Sequence, residues 1–142
     1  MQLALEEAAA AARVGEVPVG CVICQGERVL ARAGNRTIVD CDPTAHAEMV
    51  ALRAAAATIK NHRLSGVTAY VTVEPCAMCA GALLQARIDR LVYGADDPKG
   101  GAVRSCFAVF DHPCVNHRAT VTAGVLAEDA AALLQKFFAA RR

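Results

Sequence analysis

Apolar and polar positions along the chain recur at intervals that predict alternating helices and strands. The first fourteen residues are alanine-rich with apolar side chains at helical spacing, and Gly15 and Pro18 end this run. Two runs rich in apolar residues then follow, separated by a glycine-containing turn, as in a β-hairpin. The predicted elements are a helix at residues 1–14 and strands at 19–24 and 28–35, with a tight turn at Gln25-Gly26.

The rest of the chain alternates between helix and strand patterns. Val67–Val73 is β-branched and almost continuously apolar, which is typical of a central strand buried on both faces. Asp42, Pro43 and Thr44 favour a helix start. The predicted elements are a helix from these residues to about Asn61, a strand at Val67–Val73, a helix at about 76–86, a strand at Arg90–Ala95, a glycine-rich loop with a short helix, a weak strand near 119–121 and a closing helix at about 126–142. A hairpin followed by this alternation predicts one three-layer α/β domain over residues 1–142, with a mixed sheet.

Composition narrows the class of protein. Of 142 residues, 55% are apolar and 20% charged, which is typical of a globular domain. The net charge of +1 does not mark a nucleic-acid binder, so any such role depends on local patches. Glu6 and Glu7 interrupt the first apolar stretch and no basic segment precedes it, which argues against a signal peptide. No run approaches the ~20 apolar residues of a membrane span, so we expect a cytoplasmic protein.

The seven cysteines are an odd number without an export signal, which favours reduced thiols over a disulfide framework. Cys21 and Cys24 lie in a predicted strand, where an odd separation puts side chains on opposite faces, so both are interpreted as small core residues. Cys76 and Cys79 open a predicted helix, where residues three apart share one side and the helix N-terminus favours thiolate. These two can converge on zinc, although a redox dithiol would use the same arrangement.

The segment TAHAE places His46 and Glu48 at the start of another predicted helix. Helix N-termini gather at the carboxyl ends of strands in α/β domains, so His46 can join Cys76 and Cys79 as a third ligand. Three protein ligands leave one position open, which is typical of catalytic zinc. Glu48 can then move protons without ligating, because zinc lowers the pKa of its water to ~7. A closed site completed by Cys41, in a zinc-stabilised RNA-binding protein, is the non-catalytic alternative.

HAE followed by PCAMC matches the H-x-E…P-C-x-x-C pattern of zinc nucleobase deaminases. Further blocks run in order over essentially the whole chain: EVPVGCVI, GNR, DPTAHAEMVALR, AYVTVEPCAMCAGAL, RIDRLVYGA, HPCVNHR and LLQKFF. With these blocks, the chain resembles the bacterial tRNA-specific adenosine deaminases of the cytidine/deoxycytidylate deaminase superfamily. The resemblance implies a cytidine-deaminase-like α/β/α fold with a central mixed five-stranded sheet.

The resemblance also implies an activity and its residues. One Zn²⁺ per subunit would be held by His46, Cys76 and Cys79, with Glu48 as the catalytic proton carrier. The reaction would convert adenosine to inosine at the tRNA wobble position and release ammonia, and a homodimer would grip the anticodon loop. The residues implied to contact substrate are Asn35, Ala47, Pro75, Asp97, Lys99, His112, Asn116, Phe138 and Arg141.

Two other activities remain open at this point. Deamination of a free base or nucleoside, such as guanine or cytidine, is favoured by the small net charge, whereas NHR and the terminal FF…RR segments favour tRNA. A thiol oxidoreductase would use Cys76 and Cys79 without zinc.

Overall fold

The computed structural model describes residues 1–142. The sequence-predicted order of elements is confirmed, and their observed bounds are as follows. The helices are α1 (Gln2–Arg13), α2 (Ala47–Ile59), α3 (Ala77–Gln85) and α4 (Ala127–Ala139), with a 3₁₀ turn at Val109–Asp111. The strands are β1 (Gly20–Gln25), β2 (Arg28–Gly34), β3 (Val67–Val73), β4 (Arg90–Ala95) and β5 (Thr120–Thr122).

The five strands form one mixed sheet in the order β2-β1-β3-β4-β5. β1 pairs antiparallel with β2 and β3, whereas β3, β4 and β5 run parallel. Helices α1 and α4 pack on one face of the sheet and α2 and α3 on the other. The predicted α/β/α layers and the central position of β3 are therefore confirmed. No helix combines the length and the apolar character needed to cross a membrane.

The main core lies between the sheet and the layer of α2 and α3. Val67, Ala69 and Val71 of β3 point into this core, as the strand period of two requires. On the opposite face α1 approaches β1 so closely that a side chain on Gly20 would overlap the backbone carbonyl of Ala4. Alanine and glycine thus allow α1 to sit directly on the sheet, which explains a core with few aromatic residues.

The predicted start of α2 is wrong. Asp42 does not cap the helix but closes a local turn, since its Oδ1 accepts hydrogen bonds from the backbone N–H (2.8 Å) and hydroxyl (2.7 Å) of Thr44. An Asp side chain can accept hydrogen bonds from the residue two positions later and close a turn as readily as it can cap a helix. The helix begins at Ala47, and His46 is its N-cap residue.

Two smaller differences between prediction and structure concern the position of the hairpin turn and the burial of Cys24. The hairpin turn lies at Gly26 and Glu27, one residue later than predicted, and Gly26 adopts φ +57° there. Cys21 is completely buried as predicted, whereas Cys24, which lies opposite a bulge at Leu30 of β2, is only half-buried.

Candidate active site

The starts of α2 and α3 bring the three predicted ligands together. His46 and Cys76 are the N-cap residues of these two helices, and Cys79 lies in the first turn of α3. The Nδ1 atom of His46 is 3.6 Å from the Sγ atom of Cys76 and 3.6 Å from that of Cys79. All three donor atoms lie within 4.8 Å of one another. The predicted convergence of TAHAE and PCAMC is therefore observed.

The N-cap position of His46 explains how His46 and Glu48 can serve one site. Its backbone is extended, with φ −65° and ψ 154°, so its side chain does not follow helical geometry. Glu48 is the second residue of the helix proper. Two residues that would diverge on a helix flank therefore both line one cavity at the helix end.

The two thiols differ in their proton affinity. A hydrogen bond from Cys79, together with the backbone N–H groups of Cys79 and Met78, lowers the pKa of Cys76 to about 5. The neighbouring Cys76 sulfur and burial raise the pKa of Cys79. The helix N-terminus thus stabilises one thiolate, and a cation between the sulfurs would stabilise both.

Glu48 is a buried carboxylate with an unpaired oxygen. Its residue exposure is 3%, and Oε2 is buried without any hydrogen-bond partner. Burial raises the pKa of the Glu48 carboxyl above its usual range, although its own backbone N–H and His46 partly offset this. An unsatisfied buried carboxylate is destabilising, so its place beside a donor cluster indicates a functional group.

The donor set fits zinc. One imidazole nitrogen and two sulfurs are ligands that zinc prefers, and three protein ligands leave a coordination position open. Cys41 does not belong to this group, since its exposed thiol is directed to the carbonyl of Ile38, 3.7 Å away. The arrangement favours an open catalytic site over a closed four-ligand site.

A cavity of about 230 Å³ opens onto these side chains. Its apolar wall is formed by Val17, Val19 and Val73, and its polar edge by Asn35, Thr37, Glu74 and Asp97. This volume is below the ~300–1,000 Å³ of sites for drug-sized ligands. The cavity therefore suits one planar base with a few polar contacts.

A protein-family model described as MafB19-like deaminase matches residues 1–142. The tRNA-specific adenosine deaminase of Haemophilus influenzae is 51% identical over 143 residues, covering 100% of this chain and 83% of that protein. The chain belongs to the tRNA-specific adenosine deaminase family. The family member from Bacillus subtilis is 41% identical over 138 residues, covering 97% of this chain and 86% of that protein.

Solved structures agree with this membership. A chain from a study of A-to-I editing by tRNA:A34 deaminases at the wobble position of transfer RNA has a TM-score of 0.92 and 48% identity. It covers 94% of this chain and 97% of that chain. The guanine deaminase of Nitrosomonas europaea has a TM-score of 0.81 at 27% identity, over 97% of this chain and 82% of that chain. The predicted cytidine-deaminase-like fold is confirmed, and the free-base deaminase is the more distant relative.

The residues that the deaminase resemblance implied for substrate contact do not all lie at this cavity. Asn35 and Asp97 line it. Ala47 is completely buried in the core, and Pro75 is buried with its carbonyl accepting the N–H of Ala102 at 2.8 Å. Two further residues, Lys99 and His112, are exposed outside it. Contacts of these exposed side chains therefore depend on a substrate larger than one base.

The remaining implied contacts have partners within the deaminase. The Oδ1 atom of Asn116 accepts a hydrogen bond from Arg87 at 2.9 Å. The guanidinium of Arg141 donates to the carbonyl of Gly15 at 3.0 Å and lies 3.5 Å from the ring centroid of Phe137. Phe138 is 47% exposed and packs edge-on against Phe137. Arg141 thus fastens the end of α4 to the turn after α1.

Two buried acidic residues beside the deaminase cavity were not predicted as site residues. Glu16 is completely buried, and Glu74 is 3% exposed. The sequence did carry a signal, because each interrupts an apolar run, and a buried carboxylate needs partners. Nothing in their spacing identified those partners.

Glu74 organises the loop that follows β4. Its Oε1 accepts the backbone N–H groups of Val103 (3.1 Å), Arg104 (2.7 Å) and Ser105 (2.9 Å). Its Oε2 accepts the N–H of Asp97 at 3.0 Å and the Ser105 hydroxyl. Burial alone would raise the pKa of Glu74, but the Ser105 hydroxyl and these N–H groups outweigh it and lower the pKa to about 2.

The same loop passes so close to Glu74 that Gly101 has no room for a side chain, since an added Cβ would overlap the carboxylate. Gly101 also pairs with Cys76 in an isolated β-bridge. Glu74 therefore connects the loop carrying Asp97 to the segment carrying Cys76.

Proposed function

We propose that this chain hydrolytically deaminates adenosine to inosine at the wobble position of a tRNA anticodon and releases ammonia. Residues 1–142 act as one deaminase domain. His46, Cys76 and Cys79 hold one zinc ion per subunit, and Glu48 is the catalytic proton carrier. The proposed substrate places the enzyme in the cytoplasm.

The observation that carries this proposal is that the group of His46, Cys76 and Cys79 lies at a small cavity shared with the buried Glu48 carboxylate, whose Oε2 has no hydrogen-bond partner. A dithiol oxidoreductase needs neither His46 nor Glu48. The tRNA substrate is supported by relatives named tRNA-specific adenosine deaminase at 41–51% identity.

The chain's own groups account for the proton transfers. His46, Cys76 and Cys79 would hold a zinc ion, which would lower the pKa of a bound water to ~7 and so make a nucleophile available near neutral pH. Glu48 takes the proton that water gives up on attacking C6 of adenine and delivers it to the adjacent ring nitrogen. Glu48 then carries the second proton of that water, from the new C6 hydroxyl to the amino group, and the C6–N bond breaks, so that adenosine and water yield inosine and ammonia. The apolar wall of Val17, Val19 and Val73 limits bulk water around the base.

The tRNA contacts are proposed at two levels. Asn35 and Asp97 contact the target nucleotide in the cavity, whereas Ala47 and Pro75 are buried outside it and hold the neighbouring His46 and Cys76 in place. The wider anticodon loop meets Lys99, His112, Asn116, Phe138 and Arg141, and a second copy of the chain completes the binding surface in a homodimer. The family resemblance supports this dimer, and the mass in solution at assay concentrations tests it.

A substrate comparison tests the proposed activity. The purified protein is incubated with an anticodon stem-loop that carries adenosine at the wobble position, and in parallel with free guanine and cytidine. We expect inosine in the stem-loop and no ammonia from the free base or nucleoside. A stem-loop with guanosine at that position is the matched control. Ammonia from guanine without inosine in the stem-loop would assign the chain to the free-base deaminases instead.

Metal removal is expected to affect both activity and stability. Dialysis against a strong chelator should abolish deamination, and zinc at 1,000 times its Kd should stabilise the fold by ~4 kcal/mol. For a chain of this size that corresponds to a difference of roughly 8–16 °C in thermal midpoint. Metal analysis should give one zinc per chain, and His46→Ala should lower that content. Full deaminase activity in metal-free protein would contradict the zinc mechanism, and absence of zinc from the purified protein would support the thiol oxidoreductase.

A further inference from the structure

Glu16 is a completely buried carboxylate that forms no ion pair with a basic side chain. It follows α1 by three residues, its exposure is 0%, and none of the ion pairs in the structure includes it. The nearby Arg36 is paired with Asp40 instead, at 2.7 Å. Burying an unneutralised charge is costly unless hydrogen bonds satisfy every lone pair, so the partners of Glu16 show what it holds in place.

These partners come from one short segment after β2. Oε1 accepts the backbone N–H groups of Ile38 and Val39, both at 2.8 Å. Oε2 accepts the side-chain amide Nδ2 of Asn35 at 2.9 Å and the hydroxyl of Thr37 at 3.3 Å. Both oxygens are thereby used, and Glu16 fastens the segment that leads to His46.

The contact with Glu16 also determines the orientation of the Asn35 side-chain amide. A carboxylate only accepts hydrogen bonds, so the NH₂ group must face Glu16, and it reaches Thr37 Oγ1 at 3.1 Å as well. The amide oxygen of Asn35 receives no hydrogen bond from the protein and is not among the buried unpaired atoms. Asn35 lines the catalytic cavity, so its oxygen is the polar atom left for a ligand.

We propose that Glu16 is a positioning residue that sets the polarity of Asn35, so that Asn35 presents its amide oxygen, a hydrogen-bond acceptor, to the substrate nucleotide. This inference rests on the proposed function for the identity of the substrate. Glu16 itself does not touch the base; it acts through Asn35.

Glu16→Gln tests the proposal because it keeps the size of the side chain and replaces one acceptor oxygen by an NH₂ donor. The Gln oxygen can still accept the N–H groups of Ile38 and Val39, which places the new NH₂ group against Asn35. The Asn35 amide must then rotate and offer its NH₂ group to the cavity. We expect kcat/KM on the adenosine stem-loop to fall roughly tenfold, with the thermal midpoint and zinc content unchanged.

A double-mutant cycle separates positioning from a structural role. In an Asn35→Ala background, Glu16→Gln should change kcat/KM by less than about twofold, since the side chain through which it acts is gone. Thr37→Val is the matched control, because it removes the second acceptor of Nδ2 and the longer hydrogen bond to Glu16 (3.3 Å) but leaves the contact between Asn35 and Glu16. In the background with native Asn35, Thr37→Val should lower kcat/KM less than Glu16→Gln does. An equal loss from Glu16→Gln in both backgrounds would overturn the proposal.

Exchange of the pair gives a test that does not depend on the single variant folding well. Asn35→Asp alone sets two carboxylates against each other and should be poorly active. Adding Glu16→Gln supplies an amide donor to the introduced carboxylate, restores the contact and leaves an oxygen facing the cavity, so activity should recover at least severalfold. No recovery in the double variant would contradict a positioning role.

The proposed function and this inference fail in different ways. Wild-type protein that deaminates guanine or cytidine but not the stem-loop rejects the tRNA substrate. The same cycle measured on that smaller substrate still tests Glu16, because Asn35 lines the cavity in either case.

Discussion

Glu48→Gln is expected to lower kcat for stem-loop deamination by at least ~10³-fold, or ~4 kcal/mol of transition-state free energy. The amide fills the same space but cannot accept a proton from water or deliver one to the base. The three zinc-ligand side chains are unchanged, so zinc content should equal that of the wild type. A quench assay for inosine together with metal analysis measures both quantities on the same sample.

The same substitution should not destabilise the fold. Glu48 is buried with an unpaired oxygen, so replacing the carboxylate removes a desolvation penalty and should raise the free energy of unfolding by ~1 kcal/mol. A gain in stability with a loss of activity is the pattern expected of a functional group.

The chain offers a matched control for a purely electrostatic role. Glu128 is the second residue of α4, as Glu48 is of α2, but it is exposed. A first-turn acid that only complements the helix dipole contributes ~0.3–1 kcal/mol. Glu128→Gln should lose about that stability and keep full activity. Similar behaviour of Glu48→Gln and Glu128→Gln would reject the catalytic role of Glu48.

The convergence of His46, Cys76 and Cys79 was predictable from sequence because its geometry is local to two helix starts. Cys76 and Cys79 need only one turn of helix to share a side, and His46 needs only the neighbouring helix start. The strand β3 was predictable for a similar reason, since its β-branched, apolar run needs burial on both faces. Both features follow from short segments whose preferences agree with the fold.

The start of α2 failed because two local structures compete for the same residues. Asp42 can cap a helix or close a turn on Thr44, and propensity does not rank the two. His46 can ligate because the helix starts late, which leaves this residue in extended backbone. The error in the element boundary and the correct prediction that His46 lies beside Cys76 and Cys79 therefore involve the same position.

The partners of Glu16 and Glu74 could not be predicted because they are backbone N–H groups and polar side chains of distant loops. Glu74 is 23 residues from Asp97 and 31 from Ser105 along the chain. Which N–H groups converge on a carboxylate depends on loop conformation, which carries no periodicity. Arg141 shows the same limit, since its partner Gly15 lies 126 residues away.

Glu74→Ala should be the most destabilising substitution near the site. It removes the acceptor of four backbone N–H groups and the Ser105 hydroxyl, and breaking a buried network of this kind typically costs ~3–5 kcal/mol. For a chain of this size that lowers the thermal midpoint by roughly 6–20 °C. Thermal unfolding, with hydrogen exchange of residues 97–105, measures the loss and its location.

Glu74→Gln separates the contribution of the Oε1 hydrogen bonds from that of the Oε2 hydrogen bonds. If the amide keeps its oxygen at the Oε1 position, the bonds to Val103, Arg104 and Ser105 survive, and an NH₂ group faces the N–H of Asp97. Two donors cannot pair, so only the Asp97 end of the loop should be released. Stability should fall less than in Glu74→Ala, while kcat/KM falls in both because Asp97 lines the cavity. If Glu74 served stability alone, activity at a temperature where Glu74→Gln remains folded would equal that of the wild type.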